Sequence, residues 1–317
     1  MSLTAQPHGR FPRLAAVLAL ALSLGAAPLT AQAETTAGAS QPAPIARSYK
    51  LPISPPLDQG DSDLCWVYAT LSMLETNYLA KHPGSHIALS RGAMQRFSIL
   101  DRFQRDITGN STHLEDGGLA VDALMLIRQN GLVGAQDYHD VVDSDPIFAA
   151  LSRRLATVAG ADAKLKALNG ALGPAPASVR LDGRKLTPGD LAKTVLGDRI
   201  WTEYDVASDD RAPPVSPSDD PDARPETLVH HVDLTTAVKL IQDSLARGEA
   251  VVWGSTDNHA LLIYGADYDA EGRPVAYWVK DSFAPYTRRE PAEDVHAVLT
   301  DVTVAAPAAA ELTAERN

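Results

Sequence analysis

The sequence predicts an α+β fold in two lobes, because its hydrophobic periodicity changes along the chain. Early in the chain, apolar residues recur three and four positions apart, as at Val67 and Leu71, which is the spacing of a helix. Near the end, short runs rich in β-branched and aromatic residues predict strands at 250–253, 259–264 and 275–280. Helices that precede a set of antiparallel strands are typical of α+β proteins.

The composition bounds both the size of the core and the possible partners. The chain has 317 residues, of which 45% are hydrophobic, enough for a large buried core. Its 28 basic and 40 acidic side chains give a net charge of −12. Because this charge repels phosphate groups, we expect no nucleic acid or anionic membrane partner. The single cysteine, Cys65, excludes an intrachain disulfide or a cysteine-rich metal site, and we expect neither metal nor cofactor.

The N-terminus predicts export. Arg10 and Arg13 precede an apolar run at 14–29, and small residues follow up to Ala33. This arrangement is typical of a signal peptide over residues 1–33, cleaved after Ala33. A membrane anchor is the alternative, but sixteen residues interrupted by a glycine and a proline are short for a bilayer. We therefore expect a periplasmic or secreted protein without a membrane insertion after cleavage.

The rest of the chain predicts one folded domain over residues 47–304. A flexible leader at 34–46 precedes it and a flexible tail at 305–317 follows it. The domain is predicted to have three parts: a helical lobe at about 62–145, an insertion at about 146–232 and a β-rich lobe at about 233–304. Beside the helix after Cys65, helices are predicted from 116–118 to 130, at 146–158, from Thr187 and from about Thr235.

Cys65 lies at the start of a predicted helix. Residues 58–63 (DQGDSD) are typical of a turn and an N-cap, so Cys65 falls in the first helical turn. Free amides and the helix dipole stabilise a thiolate there. A lone cysteine in an exported protein also favours a reactive role, although a small buried hydrophobe is the alternative.

His259 and Asp281 are placed together by the predicted hairpin. If its turn centres near Ala270, the two residues are equally distant from it and face one another across the strands, with Cβ atoms roughly 4.5–5.5 Å apart. A slip of one residue would put them on opposite faces. A carboxylate can hold one imidazole nitrogen and leave the other for a reaction partner. The alternative is a solvated histidine with an unrelated aspartate.

Together these residues fit the parts that thiol proteolysis needs. Cys65 supplies the nucleophile, and His259 holds it ionised and later protonates the leaving amine. Asp281 orients the imidazole. The side-chain amide of Gln59, six residues before Cys65, supplies an oxyanion donor together with the Cys65 amide.

Four motifs in this order resemble those of the papain superfamily. The nucleophile segment is similar to residues 58–66 (DQGDSDLCW), the histidine strand to 258–263 (NHALLI), and the third segment to 277–283 (YWVKDSF). Gly117 and Gly118 resemble the paired glycines that bind extended substrate. The resemblance implies a papain-like fold in which a cleft separates a helical lobe from a β-rich lobe, with a peptide or protein as the substrate.

The resemblance also implies roles for neighbouring residues. Gly117, Gly118, Trp66 and Asn258 correspond to substrate-binding positions, although Trp66 is also suited to the core. Stretches at 171–176 and 248–254 resemble the bleomycin hydrolase and aminopeptidase C branch more closely. The cage-like assembly of that branch is not expected to carry over, and no oligomeric state is predicted.

Three departures from the family pattern keep other functions open. Asp281 stands where the family has asparagine, Phe283 where it has a shielding tryptophan, and Asp63 where it has glycine. A carboxylate at Asp63 either raises the pKa of the Cys65 thiol, which opposes the helix dipole, or acts only as a cap. One alternative is therefore an inactive module that binds peptides or partners in the cleft. Another is a thiol acyltransferase of transglutaminase type. His230 and His231 are interpreted as loop or surface histidines rather than metal ligands.

Overall fold

The computed structural model describes residues 44–109, 116–197, 199–206, 229–284 and 286–306, and all helices and strands given below lie within these ranges. The predicted signal peptide, most of the predicted leader and the tail from 307 lie outside the described residues.

The described residues contain eight α-helices. They are α1 Cys65–Lys81, α2 Arg91–Thr108, α3 Ala120–Asn130, α4 Ser144–Ala156, α5 Ala161–Leu172, α6 Pro188–Leu196, α7 Leu234–Ala246 and α8 Ala292–Val298. The predicted helices correspond to α1, α3, α4, α6 and α7. Thr187 caps α6 as expected, since it accepts a hydrogen bond from the amide of Asp190 (3.1 Å). Asp233, which was not predicted as a cap, accepts one from the amide of Thr236 (2.7 Å) at the start of α7.

Most of the strands among the described residues form one sheet. They are β1 Arg47–Lys50, β2 Val179–Leu181, β3 Arg184–Leu186, β4 Ile200–Val206, β5 Val229–Val232, β6 Val251–Ser255, β7 His259–Tyr268, β8 Pro274–Lys280, β9 Thr287–Pro291 and β10 Leu299–Ala306. The large sheet has the order β5-β4-β10-β6-β7-β8-β9, and β1 pairs with the far half of β7. All of its pairings are antiparallel except β4 with β5, while β2 and β3 form a separate hairpin.

Helix α1 is buried on all sides. The apolar stripe at Val67 and Leu71 predicted one buried face, but nearly every residue from Trp66 to Tyr78 is buried, polar ones included. The reason is that α1 packs against β7 and also against α2, α3 and α6. A helix enclosed in this way holds its first residue, Cys65, in a fixed position relative to the sheet.

Three of the described helices, α2, α5 and α8, were not predicted. In α2 the buried residues include Ala93, Met94 and Phe97, but two arginines of the same helix, Arg91 and Arg96, are buried as well. Because charged residues are usually exposed, these two arginines interrupt the apolar pattern that predicts a buried helix face. They are buried here because they have hydrogen-bond partners that the sequence does not reveal.

The predicted register of the β7–β8 hairpin was wrong by two residues. Its turn centres on Glu271 rather than Ala270, since the backbone amide of Asp269 bonds to the carbonyl of Arg273 (3.0 Å). Leu262 therefore pairs with Lys280, and two irregularities interrupt the ladder further along. An even shift keeps each side chain on its original face of the sheet. The two site residues of this hairpin thus stay on one face, as diagonal rather than direct neighbours.

Candidate active site

Cys65 is the first residue of α1 and its thiol is half-buried. The expectation that residues 58–63 cap this helix was wrong. They form a turn in which Gly60 donates to the Asp58 carboxylate (2.9 Å), while the N-cap is Leu64, which offers no side-chain acceptor. The first amides of the helix are therefore not capped by a side chain of Leu64, and they carry the partial positive charge of the helix N-terminus.

His259 lies between Asp281 and Cys65. It begins β7 directly after a tight turn in which exposed Asn258 adopts a positive φ of 56°, a conformation that asparagine tolerates well. Its Nε2 is 2.7 Å from Asp281 Oδ1, and the Cys65 thiol is close enough to the imidazole to act on its pKa. Because Nε2 is held by a carboxylate, Nδ1 is the nitrogen available to the thiol.

The neighbours of His259 favour its charged form. Burial acts to lower the pKa of His259, but the interactions with Asp281 and Cys65 outweigh it and raise the pKa to about 9. An imidazolium at neutral pH is the form that can stabilise an adjacent thiolate and later give up a proton.

Asp281 follows directly after β8 and is buried with several partners. Its Oδ1 also accepts a hydrogen bond from the amide of Phe283 (3.0 Å), and its Oδ2 accepts one from Arg288 Nη1 (2.6 Å). Burial acts to raise the pKa of Asp281, but the hydrogen bonds from His259, Arg288 and Phe283 lower it to about 2. The carboxylate is thus ionised throughout the physiological range.

Gln59 is buried beside this group, and its amide orientation is fixed from both ends. Its Oε1 accepts a hydrogen bond from the Ser282 hydroxyl (2.5 Å), and its Nε2 donates to the carbonyl oxygen of Ser62. The backbone amide of Gln59 also donates to the Ser282 carbonyl (3.1 Å). An amide nitrogen carries two N–H groups, so one donor is left after the bond to Ser62.

The paired glycines lie against the start of α1. The indole of Trp66 donates to the carbonyl oxygen of Asp116 (2.8 Å), and a Cβ at Gly118 would come within 2.8 Å of the same ring. Gly117 is exposed and has open space around its Cα. Trp66 itself is 1% exposed, so it supports this segment from behind and does not face the solvent.

Asp63 and Phe283, two of the departures from the family pattern, are both exposed. Asp63 is exposed, so water screens its charge. The ring of Phe283 lies 5.3 Å from that of His259, tilted by 33°, but Phe283 is 43% exposed. It therefore covers one side of the imidazole only in part.

A buried polar network joins the helix of Cys65 to the strand that ends before Asp281. Glu75 on α1 accepts hydrogen bonds from Arg91 and from the hydroxyl of Ser54 (2.5 Å). The ammonium of Lys280 donates to the carbonyl oxygen of Ser54 (3.0 Å) and to its hydroxyl (2.9 Å). Burial lowers the pKa of Lys280 to about 8, with the charge of Glu75 acting in the opposite direction.

Sequence reasoning missed Ser282, Lys280 and Arg288 as members of the site. The first two flank Asp281, so their proximity was visible in the sequence, but their partners Gln59 and Ser54 were not. Arg288 reaches Asp281 only because β8 turns back into β9, a strand that was not predicted.

One cavity borders the candidate active site, and a larger one lies apart from it. A cavity of about 430 Å³ is lined by His259 and Arg288 together with Asp257, Glu290 and Asp294. A larger one, of about 1140 Å³, lies between the segment around β1 and the hairpin of β2 and β3, and none of the catalytic candidates lines it. The smaller cavity is the one that gives space beside the imidazole.

Within the described ranges, no three or more His, Cys, Asp or Glu side chains are grouped so that they could hold a metal ion. His230 and His231 lie on β5, where both are exposed and His231 Nδ1 is 3.6 Å from Asp205 Oδ2. None of the helices described is long and apolar enough to cross a bilayer.

Comparison with known proteins identifies the fold. No protein-family model and no curated protein matches the sequence. Among solved structures, PepW from Lactobacillus rhamnosis is similar with a TM-score of 0.63 and 17% identity, over 86% of this chain and 84% of that one. Xylellain, a cysteine protease from Xylella fastidiosa, matches over 84% of this chain and 87% of that one, at 14% identity and a TM-score of 0.44.

The similarity to PepW agrees with the observed architecture, in which a buried helix carries the cysteine and a mostly antiparallel sheet carries the histidine. At such low identity it establishes the fold and not the activity. The protein has the two-lobed α+β fold of the papain-like cysteine proteases.

Proposed function

We propose that this protein is a cysteine peptidase that hydrolyses peptide bonds through an acyl-enzyme on Cys65. The observation that carries the proposal is the position of His259, whose Nε2 bonds to Asp281 and whose pKa is raised by both Asp281 and Cys65. This arrangement supports a thiolate–imidazolium pair at neutral pH, which is the reactive form of such enzymes.

In the first half of the reaction, the Cys65 thiolate attacks the carbonyl carbon of the peptide and a C–S bond forms. The resulting oxyanion is held by the Cys65 amide and the remaining N–H of Gln59. When the intermediate collapses, the C–N bond breaks and His259 gives its Nδ1 proton to the leaving amine. The product of this half is a thioester on Cys65 and a released amine.

In the second half, water attacks the thioester carbonyl while His259, now neutral, takes a proton from it. The C–S bond breaks, the carboxylic acid leaves, and Cys65 returns as a thiolate beside the imidazolium. Asp281 holds the ring in one tautomer throughout. The chemistry needs neither metal nor cofactor.

The first experiment is the intact mass of the reduced protein after exposure to an epoxysuccinyl thiol trap at pH 6. Wild type, Cys65→Ala and His259→Ala are compared, with circular dichroism to establish that each is folded. We expect stoichiometric labelling of wild type only. Absence of labelling in folded wild type with a reduced Cys65 would contradict the proposal and favour an inactive binding module instead.

A second measurement separates hydrolysis from acyl transfer. Peptide products are analysed by mass spectrometry with and without an added primary amine. We expect free carboxylate products in both cases. Predominant amide products would contradict peptidase action and favour the transglutaminase-type alternative, which uses the same thioester.

We also propose that the protein is exported, on the basis of the basic, apolar and small-residue pattern of residues 1–33. Expression of the full chain in a bacterial host, followed by fractionation and N-terminal sequencing, tests this. A mature N-terminus after Ala33 in the periplasm or medium supports export, and uncleaved chain in the cytoplasm contradicts it.

A further inference from the structure

Arg288 lies next to the candidate catalytic group on a strand that carries no other member of it. From β9, its Nη1 donates a 2.6 Å hydrogen bond to Asp281 Oδ2, while Asp281 Oδ1 accepts from His259. We propose that Arg288 is a positioning residue, which fixes the orientation of the Asp281 carboxylate and balances its charge. This inference rests on the proposed peptidase function.

Arg288 bonds to one carboxylate oxygen, Oδ2, while Oδ1 accepts from both His259 and the amide of Phe283. The carboxylate cannot rotate about its Cβ–Cγ bond without breaking the hydrogen bonds to both His259 and Arg288. The guanidinium is held in turn by Glu290, two residues further along β9. The Arg288 side chain is about three-quarters buried, with 26% of it exposed, so water competes weakly for these bonds.

Charge gives the second argument. The papain-like pattern has a neutral amide where this chain has Asp281, and a buried carboxylate without a compensating cation is costly. The guanidinium of Arg288 supplies that cation, although it is shared with Glu290, and so offsets part of the charge of Asp281. The imidazolium of His259 then interacts with a partly compensated carboxylate and not with an isolated negative charge.

The test is a double-mutant cycle of D281N, R288Q and D281N/R288Q, read out in two ways that need no substrate. The first is the rate constant of Cys65 alkylation as a function of pH. The second is the titration of His259 followed by NMR in histidine-labelled protein. Both readouts work even if no peptide is turned over, so a failure of this inference is distinguishable from a failure of the proposed function.

We expect R288Q alone to slow alkylation at least about threefold at pH 7, because the carboxylate loses its orientation. Removing the positive charge stabilises the imidazolium, so the pKa of His259 rises and the alkaline limb moves to higher pH. In the D281N background, the same substitution changes the alkylation rate less than about twofold, since no carboxylate is left to position.

Two further variants separate positioning from general stability. R288K keeps the charge and should restore the pH profile in large part, while restoring the rate less completely because lysine lacks the planar fork. R289Q removes the neighbouring arginine, whose Nε pairs with Asp267 (2.6 Å), and should leave the alkylation profile unchanged. Equal effects of R288Q with and without D281N, or an unchanged His259 titration in R288Q, would overturn the inference.

Discussion

The hydroxyl of Ser282 donates a 2.5 Å hydrogen bond to the side-chain oxygen of Gln59, 223 residues earlier in the chain. This bond links the segment that orients His259, through Asp281, to the segment that supplies the oxyanion donor. Together with the backbone bond from Gln59 to the Ser282 carbonyl, this contact positions two parts of the proposed reaction relative to one another. Its removal should affect catalysis without removing any reacting group.

We expect Gln59→Ala to lower kcat by roughly 10²–10³, because it removes one oxyanion donor. Ser282→Ala should lower kcat less, because Gln59 keeps its bond to the Ser62 carbonyl and loses only one of the two bonds that orient its side-chain amide. KM should change little in either variant. Steady-state kinetics on a fluorogenic peptide measures both, and a change confined to KM would show that Gln59 binds substrate without stabilising the oxyanion.

The stability of the protein should depend on the protonation of His259. Its pKa is raised from 6.5 to about 9 on folding, so the protonated ring stabilises the native state fully below pH 6.5 and this contribution disappears as pH rises through 9. The loss is at most about 3 kcal/mol. Urea unfolding of wild type and His259→Gln from pH 5 to 10 should show a difference that shrinks over this range.

His296 provides a control, because its effect on the stability should change with pH in the opposite direction to that of His259. Burial lowers the pKa of His296, so the native state loses stability as pH falls below 6.5. The difference in free energy of unfolding between wild type and His296→Gln should therefore become less favourable to wild type in acid. Parallel trends for the two histidines would contradict the assignment of their environments.

Lys280 should make the free energy of unfolding depend on pH in the alkaline range. Its pKa is lowered from 10.5 to about 8 in the native state, so burial of the charged form costs stability below pH 8, and this cost is relieved between pH 8 and 10.5. Wild type should gain up to about 3 kcal/mol relative to Lys280→Met across this interval. Denaturation at closely spaced pH values measures the gain, and parallel curves would argue against a charged, buried lysine.

Alanine substitutions at the neighbouring residues Gly118 and Gly117 test the packing against Trp66, with Gly117 as the control. A methyl group at Gly118 would come within 2.8 Å of the Trp66 ring, whereas one at Gly117 would meet nothing within 4 Å. We expect Gly118→Ala to cost about 1–3 kcal/mol of stability through overpacking, and Gly117→Ala to cost little. Thermal unfolding of both variants tests this, and equal melting temperatures would contradict the packing described.

Much of the site could be predicted because its residues lie at the ends of recognisable elements. Cys65 begins a helix, and His259 and Asp281 lie at the two ends of one hairpin, as the apolar patterns indicated. Even the error of two residues in the register preserved their contact, because side chains alternate with a period of two along a strand.

The unpredicted parts depend on contacts between distant residues. The arginines of α2 are buried because Glu75 and the carbonyl oxygen of Gly173 receive them, and no local pattern reveals such partners. Arg288 likewise gains its position from a third strand. Local periodicity identifies a helix or strand, whereas the partner of a buried charge is decided by tertiary packing.

The chain of hydrogen bonds from Glu75 through Ser54 to Lys280 has a consequence for how the enzyme would meet its substrate. Since it ties the helix of the proposed nucleophile to the strand of the proposed orienting carboxylate, we expect the reacting groups to be aligned before any peptide arrives. Binding then has no assembly step to drive, and contacts along the peptide can be used to discriminate between sequences.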